Sequence, residues 1–144
     1  MNLMTDIVQL TEVDEKACAE INAVLRQLSN EKECTLQSLR NIVESPTSEL
    51  WVAKEEGKIV GITTLTLAAR LSGVSARLED VVVDEAERGK GIGRSLCEKV
   101  IERAKARGAR SVSLTTRPER VAAHKLYEKL GFKRKETDVY RLAL

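Results

Sequence analysis

Three glycines in a short stretch of the sequence could hold an anion. Gly89, Gly91 and Gly93 lie between an apolar run that ends at Val83 and a helical segment that begins near Ile92. A strand that leads through glycines into a helix leaves the first helical N–H groups unpaired, at the positive end of the helix dipole. Glycine has no side chain to block a ligand from the backbone. The pattern therefore predicts an anion cradle, best suited to phosphate, with a turn that binds no ligand as the alternative.

The spacing of these glycines excludes two common phosphate loops. The P-loop requires Ser or Thr after Gly-Lys, but Gly89-Lys90 is followed by Gly91. The dinucleotide fingerprint GxGxxG requires its third glycine where Arg94 or Leu96 stands. An anion site of another kind remains.

Charge is distributed unevenly along the 144 residues. The formal net charge is only +2, yet residues 1–60 carry 6 basic and 11 acidic side chains, whereas residues 61–144 carry 18 and 11. The positive surplus surrounds the glycine-rich segment, where it would attract an anionic ligand. The alternative is an ordinary charged surface whose asymmetry has no function.

Cysteine and histidine content argues against a disulfide framework and against a zinc site. Cys18, Cys34 and Cys97 are far apart in the sequence, without a CxxC pair, and His124 is the single histidine. This usage suggests a reducing compartment.

The first residues carry no signal-peptide pattern, and no apolar run approaches the roughly 18 residues of a membrane helix. We therefore expect a soluble, cytoplasmic protein that uses no metal and binds no membrane.

The sequence predicts one domain, residues 1–144, with a mixed sheet and helices on both faces. The expected order is β-α-α-β-β-β-α-β-α-β-β. Apolar periodicity and turn residues place strands at 7–10, 49–54, 58–67, 76–83 and 111–116, helices at 14–28, 35–43, 92–107 and 118–130, and two last strands within 132–144.

Two motifs in this frame resemble those of a known family. Arg88-x-x-Gly91-x-Gly93 follows the strand Glu79–Val83, and AAHKLYEKLGF stands further along, at residues 122–132. With the order of elements, they resemble the GNAT superfamily of acyl-coenzyme-A-dependent N-acetyltransferases, over nearly the full chain. The resemblance implies an α/β fold of the GNAT type, in which a central, mostly antiparallel sheet is splayed between strands 4 and 5.

The resemblance also implies a ligand and its binding residues. The ligand would be acetyl-CoA, whose acetyl group passes directly to a primary amine of a small molecule or peptide, with no covalent enzyme intermediate. Backbone N–H groups of residues 88–95 would hold the pyrophosphate, and the strand before them would pair with the pantetheine arm. The implied binding residues are Val81, Val83, Arg88, Gly89, Lys90, Gly91, Ile92, Gly93, Arg94, Ser95 and Arg120. Arg120 departs from the family, which often has asparagine there, so it would contact the ligand as a cation.

Two residues are the candidate catalytic groups. Tyr127 has the position of the family's motif tyrosine, which commonly protonates the departing thiolate; a packed aromatic side chain is the alternative. Glu79 is the candidate base for the amine, with a water relay, or a structural pairing with Arg77 or Arg88, as alternatives. Regular alternation along the strand would place Glu79 and Asp80 on opposite faces.

Three further residues are expected to have structural positions. His124 is predicted to lie on the surface, and Cys97 and Trp51 are predicted to lie in the core.

Other functions stay open at this stage. A non-catalytic acyl-CoA sensor would use the same cradle. A nucleic-acid module could use the basic stretch 103–120, but aromatic residues make up only 3% of the chain, and we expect no nucleic acid as partner. The resemblance allows a homodimer, and no motif identifies the acceptor amine.

Overall fold

The computed structural model describes residues 5–144. Its elements, in chain order, are β1 (Thr5–Gln9), α1 (Glu15–Leu25), α2 (Leu36–Val43), β2 (Ser48–Glu55), β3 (Lys58–Arg70), β4 (Gly73–Val83), α3 (Ile92–Ala106), β5 (Val112–Ser113) and α4 (Val121–Lys129). The predicted order is thus confirmed as far as α4, although β5 is shorter than expected. None of the helices within residues 5–144 is long and apolar enough to cross a membrane.

The five strands form one mixed sheet in the order β1-β2-β3-β4-β5. Neighbours from β1 to β4 are antiparallel, whereas β4 and β5 are parallel. The parallel pairing has only two rungs, Ala76 with Val112 and Arg77 with Ser113. The carboxyl half of β4 therefore runs past the end of β5, as expected for a sheet splayed between its fourth and fifth strands.

Helices cover both faces of the sheet because its strands are apolar on both sides. In β2, Leu50 and Val52 point into a core with α1 and α2, whereas Trp51 and Ala53 point into a second core with α3. Cys97 of α3 is buried in that second core. The predicted fold class is confirmed, as are the core positions of Trp51 and Cys97.

The helices begin in two different ways. In α1, the Asp14 carboxylate accepts a hydrogen bond of 2.7 Å from the Ala17 N–H, and in α2, Thr35 and Ser38 cap each other reciprocally. In α3, the N-cap residue that precedes the helix is Gly91, which has a φ of 80° and no side chain to cap the helix. The N–H groups that open α3 therefore have no side-chain acceptor.

The two strands predicted after α4 are wrong, since residues 131–144 contain no strand. The apolar pattern that suggested them is present, but Val139, Tyr140 and Leu142 are 76%, 92% and 84% exposed. A strand needs a neighbour for its backbone hydrogen bonds, and β5, the edge of the sheet, offers only the two residues Val112 and Ser113. Apolar alternation could not supply that neighbour.

Candidate active site

A β-bulge in β4 arranges the side chains around the candidate site. The register of β4 against β3 shifts next to Asp80, which has a positive φ of 51°. Leu78 packs in the core with α3, whereas Val82 packs in the core with α1 and α2, although both would share a face in a regular strand. The bulge thus interrupts the alternation of side chains between the two faces of β4. Regular alternation at Glu79 and Asp80 was assumed from the sequence, and that assumption does not hold.

Both carboxylates at the bulge have basic partners. Glu79 Oε2 lies 3.3 Å from Arg77 Nε, and the Glu79 side chain is 40% exposed. Asp80 Oδ1 lies 2.7 Å from Nζ of Lys32, which belongs to the loop between α1 and α2. The pairing of Glu79 with Arg77 is the structural alternative named above, and its exposure still leaves the carboxylate accessible. The contact of Lys32 was not predicted, because nothing in its local sequence points to β4.

The carboxyl end of β4 presents backbone groups to the splay. The Asp84 N–H donates a hydrogen bond of 2.8 Å to the Val60 carbonyl of β3. Because pairing alternates in antiparallel strands, the backbone groups of Val83 turn away from β3. The Val83 carbonyl accepts a hydrogen bond of 3.2 Å from Arg88 Nε. This edge is where Val81 and Val83 were predicted to pair with a ligand.

Within the part of the chain that the structure describes, the glycine turn leaves the backbone N–H groups of residues 89–94 unpaired, which is a narrower range than the predicted 88–95. Gly89 and Gly91 both have left-handed φ, 84° and 80°, and no atom lies within 4 Å of the place where a Cβ would stand on either. The Arg88 N–H donates to the Glu85 carbonyl, and the Ser95 N–H donates to the Gly91 carbonyl. Within the described residues, the N–H groups between them, 89–94, have no hydrogen bond to another element. These six N–H groups are therefore free to donate hydrogen bonds to a ligand's oxygens.

Two cations of the cradle segment, Lys90 and Arg94, are already paired. Lys90 Nζ lies 2.6 Å from Glu87 and 3.8 Å from Glu55, and the hydrogen bond with Glu87 raises the pKa of Lys90. The pKa of Glu55 is raised as well, chiefly by its hydrogen bond with Glu87. Arg94 pairs with Glu98 at 3.4 Å. The cradle therefore depends on its backbone N–H groups more than on free positive charge.

Gly93 brings the cradle, β4 and α4 together. A Cβ on Gly93 would lie 3.7 Å from Val83 Cγ2 and 3.7 Å from Leu126 Cδ2. The splayed end of β4 and the helix that carries Tyr127 thus both come close to Gly93, in the first turn of α3. The two sequence motifs meet at this point.

Tyr127 is half-buried beside the core that contains α3. Its ring packs edge to face against Phe132, with 5.9 Å between centroids. Burial raises the pKa of Tyr127 to about 12. The phenol therefore keeps its proton at neutral pH and can donate it, or a hydrogen bond, to an anion that forms nearby.

Arg120 and His124 shape the start of α4. Arg120 is the exposed residue that precedes the helix, and its carbonyl accepts a hydrogen bond of 3.1 Å from the His124 N–H. His124 is half-buried rather than on the open surface, and its Nε2 lies 3.0 Å from the Arg117 carbonyl. His124 thus steadies the turn before α4.

Three comparisons place this geometry among known proteins. N-acetylaspartate synthetase of Xenopus tropicalis is 41% identical over 111 residues, which are 72% of this chain and 40% of that protein. Glucosamine-6-phosphate N-acetyltransferase from Arabidopsis thaliana superposes with a TM-score of 0.81 at 25% identity, covering 96% of this chain and 97% of that one. A transcriptional regulator from Bacillus halodurans superposes with a TM-score of 0.80 at 29% identity, covering 97% and 99%.

The match to the frog protein spans less than half of that protein's length. A family model describes the chain itself more completely, since it matches residues 12–132, from before α1 to the residue that packs on Tyr127. The chain therefore belongs to the acetyltransferase (GNAT) family.

Proposed function

We propose that the chain is an acetyl-CoA-dependent N-acetyltransferase, and that residues 1–144 form one such domain. The observation that carries the proposal is the meeting of the cradle N–H groups, the open edge of β4 and the helix of Tyr127 around Gly93. Membership of the GNAT family and the names of two relatives, both N-acetylating enzymes, support it. The acetyl acceptor is a primary amine of a small molecule or peptide.

The geometry above supports a set of residues that would hold acetyl-CoA. The N–H groups of residues 89–94 bind its diphosphate, and the edge of β4 at Val81 and Val83 lies along its pantetheine arm. Arg88 must first release the Val83 carbonyl that it now binds. The cations proposed to face the phosphates are Arg88, Lys90, Arg94 and Arg120, and Lys90 and Arg94 must leave their pairs with Glu87 and Glu98 to do so. Ser95 follows the cradle, and its N–H already binds the Gly91 carbonyl at the start of α3. When bound, acetyl-CoA supplies the acetyl thioester.

The chain's own groups then handle two protons. The amine must be neutral to attack, and a lysine-like amine with pKa near 10.4 is only roughly 0.04% neutral at pH 7. Glu79, or a water relay to it, accepts the amine proton. Tyr127 donates a hydrogen bond to the sulfur as the thiolate leaves, and the proton that the thiolate finally gains comes through solvent. An α-amine with pKa near 8 is about one-tenth neutral at pH 7. For such an acceptor, correct positioning of the amine replaces most of the need for a base.

A turnover screen tests this proposal directly. The purified chain is mixed with acetyl-CoA and a panel of α-amino acids, amino sugars, polyamines and lysine peptides, and thiol release is measured. We expect at least one amine to be acetylated, with a KM for acetyl-CoA of about 1 μM to 1 mM. Calorimetry that detects no association with acetyl-CoA at millimolar concentration would overturn the proposal.

A second candidate is a non-catalytic acyl-CoA sensor. The observation in its favour is the 29% identity to the structure described as a transcriptional regulator. Binding of acetyl-CoA without turnover of any amine in the panel would favour the sensor. The cytoplasmic location, the homodimer, and the lack of metal, membrane and nucleic-acid partners stay predictions from the sequence.

A further inference from the structure

Two cysteines that are 16 positions apart in the sequence lie side by side. Cys18 is on α1, and Cys34 immediately precedes the Thr35 cap of α2. Their sulfur atoms are 3.6 Å apart, both thiols are free, and both residues are half-buried. Because bonded sulfurs lie about 2 Å apart, closure of a disulfide needs a displacement of roughly 1.5 Å.

Asn22 holds the two cysteines in this arrangement. It lies one helical turn after Cys18, and its side chain binds both backbone polar groups of Cys34. Nδ2 donates to the Cys34 carbonyl at 2.8 Å, and Oδ1 accepts from the Cys34 N–H at 2.7 Å. The Cys18 thiol donates to the same carbonyl at 3.1 Å. Most of the ordering that a bond between the sulfurs requires is therefore present before the bond forms.

The third cysteine does not compete with this pair. Cys97 is fully buried in α3, and burial raises its pKa to about 12. Burial also raises the pKa of Cys34, to about 11, so the Cys34 thiol keeps its proton at neutral pH. The half-exposed position of the pair still admits a small oxidant from solvent.

We propose that Cys18 and Cys34 are a dithiol–disulfide couple whose oxidant is a low-molecular-weight disulfide such as oxidised glutathione. One cysteine thiolate attacks a sulfur of the oxidant, which forms a mixed disulfide and releases one glutathione thiolate. The other cysteine then displaces the second glutathione. One S–S bond of the protein forms, the oxidant is reduced to two glutathione thiols, and these take up the two protons that the cysteines lose.

Closure of the couple ties the loop of residues 26–34 to α1. That loop carries Lys32, which pairs with Asp80 at the bulge of β4. Oxidation would therefore fix a segment that contacts the candidate active site. This inference concerns thiol chemistry alone, so it stands or falls separately from the acetyl-transfer proposal.

Mass spectrometry of the full chain after treatment with oxidised glutathione tests the couple. The wild type should lose two hydrogens, carry no glutathione, show a Cys18–Cys34 link in peptide maps, and return to the starting mass with dithiothreitol. Cys18→Ser and Cys34→Ser should each keep a bound glutathione, because the second displacement is no longer available. Cys97→Ser should close like the wild type. A persistent wild-type adduct, a link to Cys97, a link between two chains, or no reaction would each overturn the proposal.

Asn22→Ala tests whether the Asn22 side chain, bound to the backbone of Cys34, positions the two thiols. We expect closure to be about tenfold slower, with both thiols still titratable, as loss of pre-organisation predicts. Asn41→Ala is the matched control, because Asn41 lies exposed on α2 and contacts Gln37. Equal closure rates in the two variants would overturn the role of Asn22.

The closed form should also be recognisable by its stability. Linking residues this far apart raises Tm by roughly 5–10 °C in wild type and in Cys97→Ser, with no change in Cys18→Ser. Amide exchange in residues 26–34 should slow after oxidation. Unchanged exchange in a fully closed sample would overturn the claim that closure fixes the loop.

Discussion

At the scale of the single residue, the proposed chemistry depends on the proton of Tyr127. Its pKa of about 12 lies well above the value near 8.5 that is usual for a thiol. The phenol therefore holds its proton more tightly than the departing thiolate attracts it. Tyr127 is best suited to donate a strong hydrogen bond while negative charge develops on the sulfur, with full proton transfer completed through solvent.

Removal of this hydroxyl should slow the reaction without weakening binding. For Tyr127→Phe we expect kcat to fall by about 10²-fold and the KM for acetyl-CoA to stay within about twofold, because the bond forms only as charge develops. Steady-state kinetics with the best amine of the screen measure both values. Tyr140→Phe is the control, since Tyr140 is 92% exposed. An unchanged kcat in Tyr127→Phe would mean that Tyr127 only packs against its neighbours and takes no part in the reaction.

The raised pKa of Tyr127 also predicts the pH profile. The protonated phenol is the active form, and it stays protonated until the pH approaches its pKa of about 12. On the alkaline side, kcat/KM should rise as the amine loses its proton and should show no decline up to about pH 10. A decline between pH 8 and 10 that is present in the wild type and missing in Tyr127→Phe would contradict this assignment.

At the scale of the element, the start of α3 determines whether the cradle forms. Gly91 has a left-handed φ of 80°, and Gly108, just past the other end of the helix, has one of 81°. Neither glycine has an atom within 4 Å of the place for a Cβ, so alanine would add backbone strain of about 1 kcal/mol at either site without a clash.

These two glycines make a matched pair of substitutions. Gly91→Ala and Gly108→Ala should lose similar stability, but only Gly91→Ala should weaken acetyl-CoA binding, by about fivefold to tenfold, because strain there turns the cradle N–H groups away from the diphosphate. Urea unfolding measures the first quantity and calorimetry the second. Equal affinities in the two variants would mean that the cradle does not bind the ligand.

The elements with local signals were predictable from the sequence. The helix of Ile92 was expected from its apolar stripe and the glycines before it, and the strand of Trp51 from an apolar run that ends at a turn. Gly91 has a left-handed φ of 80°, which the sequence did not assign to a particular glycine of the turn.

Features that depend on distant partners were not predictable. The bulge at Asp80, the contact of Lys32 with Asp80, and the approach of Cys34 to Cys18 all arise from packing between elements. The strands expected near Val139 are absent from residues 131–144 for the same reason. Alternation of apolar residues indicates which side chains would share a face, but it does not show which strand would pair with them. Tyr127 and Glu79 were named from motifs, and their roles remain predictions.

At the scale of the whole molecule, the positive surplus of residues 61–144 is partly used inside the fold. Glu49 of β2 is only 3% exposed and is bound by Arg103 and Arg107 of the helix α3 and its end. Arg103 donates two hydrogen bonds of 2.9 Å, and Arg107 donates one of 2.7 Å. Arg103 and Arg107 belong to the positive surplus that the sequence suggested for ligand binding. They instead bind a glutamate in the acidic first 60 residues.

The Glu49 contacts should account for a measurable part of stability. Glu49→Gln leaves two guanidinium groups without their carboxylate, and we expect the free energy of unfolding at pH 7 to fall by about 2–4 kcal/mol. This expected loss of stability is smaller than the loss for a fully buried ion pair, because the side chains of Arg103 and Arg107 are 34% and 33% exposed. Glu44→Gln is the control, since Glu44 makes an exposed pair with Arg40 at 3.7 Å and should change stability by less than about 0.5 kcal/mol.

The same network predicts how the fold responds to acid. The hydrogen bonds from Arg103 are the main reason that the pKa of Glu49 falls to about 2 from its ordinary 4.5. Since the folded pKa is depressed, the stabilisation is complete above pH 4.5 and is lost as the pH falls toward 2, by roughly 3 kcal/mol in total. Urea unfolding at pH 7, 4 and 2.5 should therefore show a steeper acid loss for the wild type and Glu44→Gln than for Glu49→Gln, because glutamine has no proton to gain. Parallel curves for all three proteins would mean that another group controls acid stability.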